Sequence, residues 1–283
     1  LSSRLPMAAE GKTVALSFSS SGLLAVYHLG VAQRLVRDAT FMSTVGEVLG
    51  ASGGALAAAA MVCSDESGMA RVAQQLFTGV ALRDMTWGDI WDPADRIVPR
   101  LILESGILAT TGTDTALQPA HKLASQRLTV SLTPMVAAAG GGNTNCRVSS
   151  FESSEGLIQT LRASCSFAKS GVKLGDGRYY WDGGMSDSMP RSSTLARTIT
   201  VSPFDAKGVD ICPRVARVPD GGCLHALFRC VPECSTNVKG LDLRWSVANS
   251  VRFWDCCVPR SADVMRKYWE QGELDASRFL KDH

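Results

Sequence analysis

The chain has 283 residues, 45% of them hydrophobic and 20% charged, with 29 basic against 27 acidic side chains for a net charge of +2. That is enough apolar chain for one large core and excludes a disordered polymer; with no basic block to follow a phosphate backbone, nucleic acid is not an expected partner. The longest strongly apolar run, Ala55 to Cys63, is about half of the roughly 20 residues a membrane-crossing helix needs, so no transmembrane span is expected. Leu1 to Gly11 lacks the charged head and apolar centre of a secretory signal. Nine cysteines, an odd number with Cys256 and Cys257 adjacent, suit a reducing compartment better than a disulfide framework, so a cytoplasmic location is expected.

In chain order, Thr13 to Phe18 is a β-favouring run that ends in Ser19-Ser20-Ser21-Gly22, and a helix-compatible stretch from Leu24 to Arg37 follows. The pattern then returns: Val45 to Leu49 reads as a strand, Gly50 to Gly54 as a turn and Ala55 to Cys63 as an Ala-rich helix. Two strand-loop-helix units in succession imply parallel strands joined by right-handed crossovers, with functional loops at their carboxyl ends, so the fold class is α/β. Later strands are expected at Arg127 to Leu132, Cys146 to Phe151 and Thr198 to Ser202, and helices at Leu157 to Cys165 and Met265 to Leu280. Met135 to Asn145 reads as a mobile hairpin connection, and Cys212 to Lys239, rich in Cys, Pro and Gly, as a surface excursion. No repeat of fixed period is present.

Gly50-Ala51-Ser52-Gly53-Gly54 is a G-x-S-x-G sequence between a strand and a helix. At such a turn, glycines two before and two after the serine remove Cβ groups that would collide, and the serine is held in a strained backbone with its hydroxyl exposed. Standing at a helix N-terminus, Ser52 would have unpaired N–H groups and the positive end of the helix dipole beside the charge that develops during attack on a carbonyl. The same letters also describe a plain Gly-rich turn with a serine capping a helix.

A serine nucleophile needs a base, and the chain offers four histidines, His28, His121, His225 and His283. His28 lies inside the first predicted helix and reads as a packed or partner-bonded core residue, and His283 is terminal. A Ser-His-Asp triad in the usual hydrolase order would fall to His225, in the least readable segment. The other base is Asp182 in Tyr180-Trp181-Asp182-Gly183-Gly184, a carboxylate already ionised at neutral pH, although Asp-Gly pairs often do no more than close a turn.

Two further groups stand out. Cys223, His225, Cys230 and Cys234 are ligand-type residues, but their spacing matches no common zinc pattern, and they read as free or buried thiols with no metal or cofactor expected. Trp87-Gly88-Asp89-Ile90-Trp91 and Tyr179-Tyr180-Trp181 carry aromatics suited either to a lipid interface or to core anchoring.

The stretches LSFSSSGLLAVYHLGV (Leu16 to Val31), GASGG, HKLASQRLTVSLT (His121 to Thr133), LRASCSF (Leu161 to Phe167), WDGGMSDSMP (Trp181 to Pro190), TVSPFDAKGVDICP (Thr200 to Pro213) and ASRFL (Ala276 to Leu280) occur in one order across nearly the whole chain. In them the chain resembles the patatin-like phospholipases, within these the adiponutrin and adipose triglyceride lipase branch. The resemblance implies a three-layer α/β/α sandwich with a central, mostly parallel sheet over residues 13–283, behind an N-terminal extension of residues 1–12. It implies a catalytic dyad of Ser52 and Asp182, with Gly50 and Gly54 forming the nucleophile elbow and Gly183 and Gly184 the turn after the base. Backbone N–H groups of Ser20, Ser21, Gly22 and Leu23, together with Gly53, would hold the oxyanion.

The implied reaction is hydrolysis of lipid esters, triacylglycerol before glycerophospholipid, by a protein peripheral to membranes or lipid droplets; a protein co-activator is left open. One departure stands out: relatives carry glycine where this chain has Ser20 and Ala25. If Ser20 had to adopt a left-handed backbone, its side chain would cost about 1 kcal/mol or more, and a lost oxyanion donor costs about two to three orders of magnitude in turnover. A catalytically weak lipid-binding or regulatory protein is therefore the alternative function.

Overall fold

A computed structural model of the chain describes residues 12–78, 94–105, 119–135, 144–167, 171–214 and 235–283. Among these, β1 (Val14–Phe18), β2 (Val45–Ala51), β3 (Leu128–Pro134) and β7 (Arg197–Val201) lie side by side in the order β3-β2-β1-β7, all parallel. On the free side of β3 the sheet turns antiparallel with β4 (Cys146–Val148) and β6 (Tyr179–Asp182), and β5 (Val172–Lys173) pairs with β6 at the edge. A second, antiparallel sheet is made of β8 (Ala206–Lys207), β10 (Leu241–Arg244) and β9 (Ser235–Val238).

The parallel strands are buried over most of their length because helices cover them, which gives the three-layer α/β/α sandwich. The helices are α1 (Ala25–Val36), α2 (Ala39–Thr44), α3 (Gly53–Cys63), α4 (Glu66–Thr78), α5 (Ile97–Ser105), α6 (Ala120–Arg127), α7 (Ser154–Ser164), α8 (Val247–Cys257) and α9 (Ala262–Asp282). Three starts are capped as their sequences dictate. Asp38, Ser153 and Ser246 each accept an N–H from three residues on, at 3.0 Å.

The first and last long helices cross closely. A Cβ on Gly30 would collide with the Trp269 carbonyl, and one on Gly272 with the Tyr27 carbonyl, so the two glycines set the approach of α1 and α9. Tyr27, buried at the crossing, donates its hydroxyl to Asp275 at 3.0 Å. Burial of Met265 and Phe279 on α9 contributes about 1.5–3 kcal/mol apiece.

Several elements differ from expectation. The strand at Cys146 ends at Val148 rather than Phe151, because the Phe151 N–H is taken at 2.8 Å by Ser125 on α6 and the side chain turns into the core. Helices α4, α5 and α8 and the small sheet were not anticipated. Met135 to Asn145 does join two antiparallel strands, but most of it, residues 136–143, lies outside the described residues, as do residues 215–234 of the Cys212 to Lys239 segment. Among the described residues no helix is long and apolar enough to cross a membrane.

Candidate active site

β2 delivers the chain to Ser52, and α3 begins at the next residue. Ser52 has φ 55° and ψ −129°, a backbone that non-glycine residues rarely adopt and that costs on the order of 1–3 kcal/mol. The turn closes because glycines flank it. A Cβ on Gly50 would come 2.6 Å from the Ala55 Cα, and one on Gly54 would collide with the Phe18 and Ser19 carbonyls at the end of β1. Ser52 is largely buried, and its N–H donates to the Ser164 hydroxyl at 2.9 Å.

Asp182 arrives from the other direction, at the end of β6, where the antiparallel register sets it opposite Leu132 of β3. Its backbone is pinned at both ends. Its N–H donates to the Ser166 carbonyl at 2.7 Å, and its own carbonyl accepts the Thr133 hydroxyl at 2.7 Å. The 3-10 turn Gly183–Met185 follows; a Cβ on Gly183 would collide with the Ser131 carbonyl, and the space beside Gly184 is filled by the Ser20 side chain.

The Asp182 carboxylate is buried, and burial raises its pKa from the ordinary value to about 6, against the lowering effect of the Ser52 hydroxyl and of the Gly184 amide that it accepts. The Ser52 hydroxyl lies close enough to the carboxylate to favour its ionised form. Residues far apart in sequence meet here as a hydroxyl and a carboxylate whose environment keeps it poised near neutrality.

The loop from Ser19 to Leu24 lies across the start of α3. Gly22 has φ 51° and no room for a Cβ, which would collide with the Cys256 carbonyl of α8, so glycine is required there on both counts. Gly53 packs against the loop: a Cβ there would stand 2.5 Å from the Gly22 carbonyl oxygen and 2.7 Å from the Ser21 hydroxyl. The N–H groups of Ser21, Gly22, Leu23 and Gly53 make no hydrogen bond to another described residue.

Ser20 is a correction. Its N–H donates to the Ser188 carbonyl at 2.9 Å and so is not available to an oxyanion. Nor does it carry the feared strain: the left-handed residue of the loop is Gly22, and Ser20 has no positive φ. Ala25 sits in right-handed helical geometry, at φ −50°.

His28 is the core residue its position suggested. Burial lowers its pKa to about 3, keeping the ring neutral, and Nε2–H donates at 2.9 Å to the Ser19 carbonyl at the root of the glycine loop. His121 bonds Ser154, and His283 stacks on Phe279; neither bonds Ser52. His225, Cys223, Cys230 and Cys234 lie outside the described residues, as does Trp87 to Trp91. Among the described residues no group of three His, Cys, Asp or Glu side chains is arranged to hold a metal ion. Of the second aromatic group, Tyr179 is exposed while Tyr180 is buried and donates to Asp176 at 2.7 Å.

Sequence reasoning missed Ser131, Thr133, Ser164 and Ser166, which hold the two chemical groups; the signal was present in HKLASQRLTVSLT for the first two and in LRASCSF for the others, stretches whose role no local rule supplies. It also missed α8. That helix turns its polar residues inward, where Asn249 bonds the backbone of Asp205 and Arg244, and Asp255 meets Tyr268 and Arg260. Its apolar residues face out: Trp245 just before it is 66% exposed and Val247 75%, with Val251, Phe253 and Trp254 also exposed. Trp245, Val247, Val251 and Trp254 line a depression of about 530 Å³ together with Arg260.

The sequence pattern of the family described as patatin-like phospholipase matches residues 16–195. Human patatin-like phospholipase domain-containing protein 4 is 31% identical over 95% of this chain and 97% of its own length. Human patatin-like phospholipase domain-containing protein 2 is likewise 31% identical over 95% of this chain, but the match covers 49% of its length. Mouse 1-acylglycerol-3-phosphate O-acyltransferase Pnpla3 is 30% identical over 95% of this chain and 59% of its own length. The chain therefore spans nearly all of the first relative and about half of the other two.

Proposed function

The chain belongs to the patatin-like phospholipase family, and from that premise we propose that it is a serine acyl hydrolase of lipid esters working through Ser52, Asp182 and an acyl-enzyme. Membership supports lipid hydrolase or acyltransferase chemistry in general. The finer reading is supported by a serine held in a strained backbone at a helix N-terminus, beside a buried carboxylate that its hydroxyl helps to keep ionised.

In this mechanism Asp182, ionised above pH 6, accepts the Ser52 proton as Oγ attacks the ester carbonyl. The tetrahedral oxyanion is held by N–H groups of the Gly22 and Leu23 loop and of Gly53, aided by the α3 dipole. Collapse expels the alcohol, which takes the proton back from Asp182 and leaves an acyl-Ser52 ester. Water then attacks that ester, giving its proton to Asp182, and a second collapse returns the proton to Oγ and releases the fatty acid. Electrons and protons balance without an external group.

The favoured substrate is triacylglycerol, with glycerophospholipid next, met at a membrane or lipid-droplet surface from the cytoplasmic side. What supports a surface is α8. It carries Trp, Val and Phe outward, an uncommon exposure for a free protein face, and its Cys256 carbonyl lies on Gly22 of the proposed oxyanion loop, so the apolar face adjoins the chemistry.

A second reading, a lipid-binding or regulatory protein with little turnover, is favoured by the commitment of the Ser20 amide to Ser188. A fluorophosphonate probe and a p-nitrophenyl ester decide between them. Labelling at Ser52 with ester turnover, both lost in Ser52→Ala and strongly slowed in Asp182→Asn, is expected of the hydrolase; an unlabelled Ser52 in the wild-type chain favours the second reading.

A further inference from the structure

The end of α7 touches both chemical groups. Ser164 is fully buried, and its hydroxyl does two things at once: it accepts the Ser52 N–H at 2.9 Å and donates to the Ser131 carbonyl at 2.9 Å. The next residue, Cys165, is buried, and burial holds its thiol well above the usual range, with the Asp182 charge acting in the same direction. The carbonyl of the residue after that, Ser166, accepts the Asp182 N–H at 2.7 Å. Within three consecutive residues, two thus hold the amide of the serine and the amide of the carboxylate.

We infer that Ser164–Ser166 is the positioning element of the Ser52 and Asp182 pair, with the Ser164 hydroxyl holding the Ser52 backbone in its strained conformation; the inference rests on the dyad proposed above. A strained φ persists only where the surroundings over-determine it. The Ser52 amide is the point where they do so, because its N–H hydrogen bond goes to Ser164. Among small side chains a hydroxyl is the strong acceptor and donor at once, so alanine at this position would orphan the Ser52 N–H and remove the Ser164 donor to the Ser131 carbonyl. Relaxation of the peptide before Ser52 would then swing Oγ away from Asp182, and a displacement of about 1 Å lowers rate by about a hundredfold.

The test uses the full chain, a water-soluble p-nitrophenyl ester and the fluorophosphonate probe. Ser164→Ala should lower kcat and the labelling rate of Ser52 together by about ten- to a hundredfold while KM moves by less than about twofold, because the interaction serves the transition state and not substrate binding. The acidic limb of the pH profile should stay in place, and Ser164→Thr, which keeps a hydroxyl, should recover most of the rate. If Ser164→Ala does not fold, Ser164→Cys, which keeps the shape at a slightly larger size with a poorer donor and acceptor, carries the same comparison. A folded Ser164→Ala chain labelled at the wild-type rate overturns the inference, even if its melting temperature is lower. When that happens in a chain whose Asp182→Asn variant is inactive, the dyad survives and only the positioning role falls; an unlabelled wild-type Ser52 sinks both.

Discussion

The Asp182 carboxylate accepts the Gly184 amide at 2.7 Å in a site where the residue is only 6% exposed. One amide and one neighbouring hydroxyl do not compensate for lost water, so burial wins and the pKa stands at about 6. A base works only when ionised. The ester kcat/KM should therefore climb about tenfold per pH unit up to about 6 and level off above it, measured between pH 4.5 and 8. A limb centred near 4 would show the carboxylate to be solvated and the site misread.

The same burial sets a stability relation. With its folded pKa raised from 3.8 to about 6, Asp182 favours the folded state below pH 4, and that contribution is lost as pH rises through 6. The shift of about two units corresponds to roughly 2–3 kcal/mol. Asp182→Asn should therefore strongly slow turnover yet raise stability at pH 7.5 by on the order of 1–3 kcal/mol, with no gain at pH 4, by denaturant melts at both values. Destabilisation at pH 7.5 would contradict the account.

Ser52 carries the strained backbone, so removing its hydroxyl and relieving its strain are separable. Ser52→Ala and Ser52→Gly should both be inactive, but the glycine variant should be the more stable by about 1 kcal/mol, since φ 55° is free to glycine alone. Equal melting temperatures for the two variants would place the strain elsewhere.

Ser20 stands where the family resemblance leads one to expect glycine, and the structure gives it neither a positive φ nor a free amide. Ser20→Gly should leave kcat within about threefold of wild type, because no donor is gained and no strain relieved. A gain of a hundredfold would show that the serine was suppressing the oxyanion loop.

Trp245 and Trp254 lie on the outward face beside the glycine loop. Replacing both with Ser should lower activity on lipid vesicles or emulsified triacylglycerol by about tenfold or more while sparing the soluble ester, since each buried indole contributes about 1.5–3 kcal/mol to surface binding. Equal losses on both substrates would assign α8 to the fold instead.

Much of the site was legible in the chain because its signals are local. The run from Val14 to Phe18 with its small-residue loop, and the run from Val45 with glycines at Gly50 and Gly54, each state a strand, a turn and a helix within a few residues. Asp182 was legible through its Asp-Gly-Gly turn and the resemblance around it. Helix α8 was not, because Asn249 and Asp255 face inward with satisfied hydrogen bonds while Val and Trp face out, inverting the polarity that periodicity assumes.

By itself, then, the sequence determined the two strand-turn-helix units and the glycine-flanked turn around Ser52, consequences of sterics between near neighbours, while the choice of Asp182 and the role of Gly22 came from the family resemblance. Only the tertiary structure decided that Leu132 and Asp182 share a register, that Ser164 bonds the Ser52 amide, and that Ser20 spends its amide on Ser188. Those are hydrogen bonds between segments far apart in the chain, and which donor meets which acceptor depends on how the layers pack, a quantity no short stretch of residues contains.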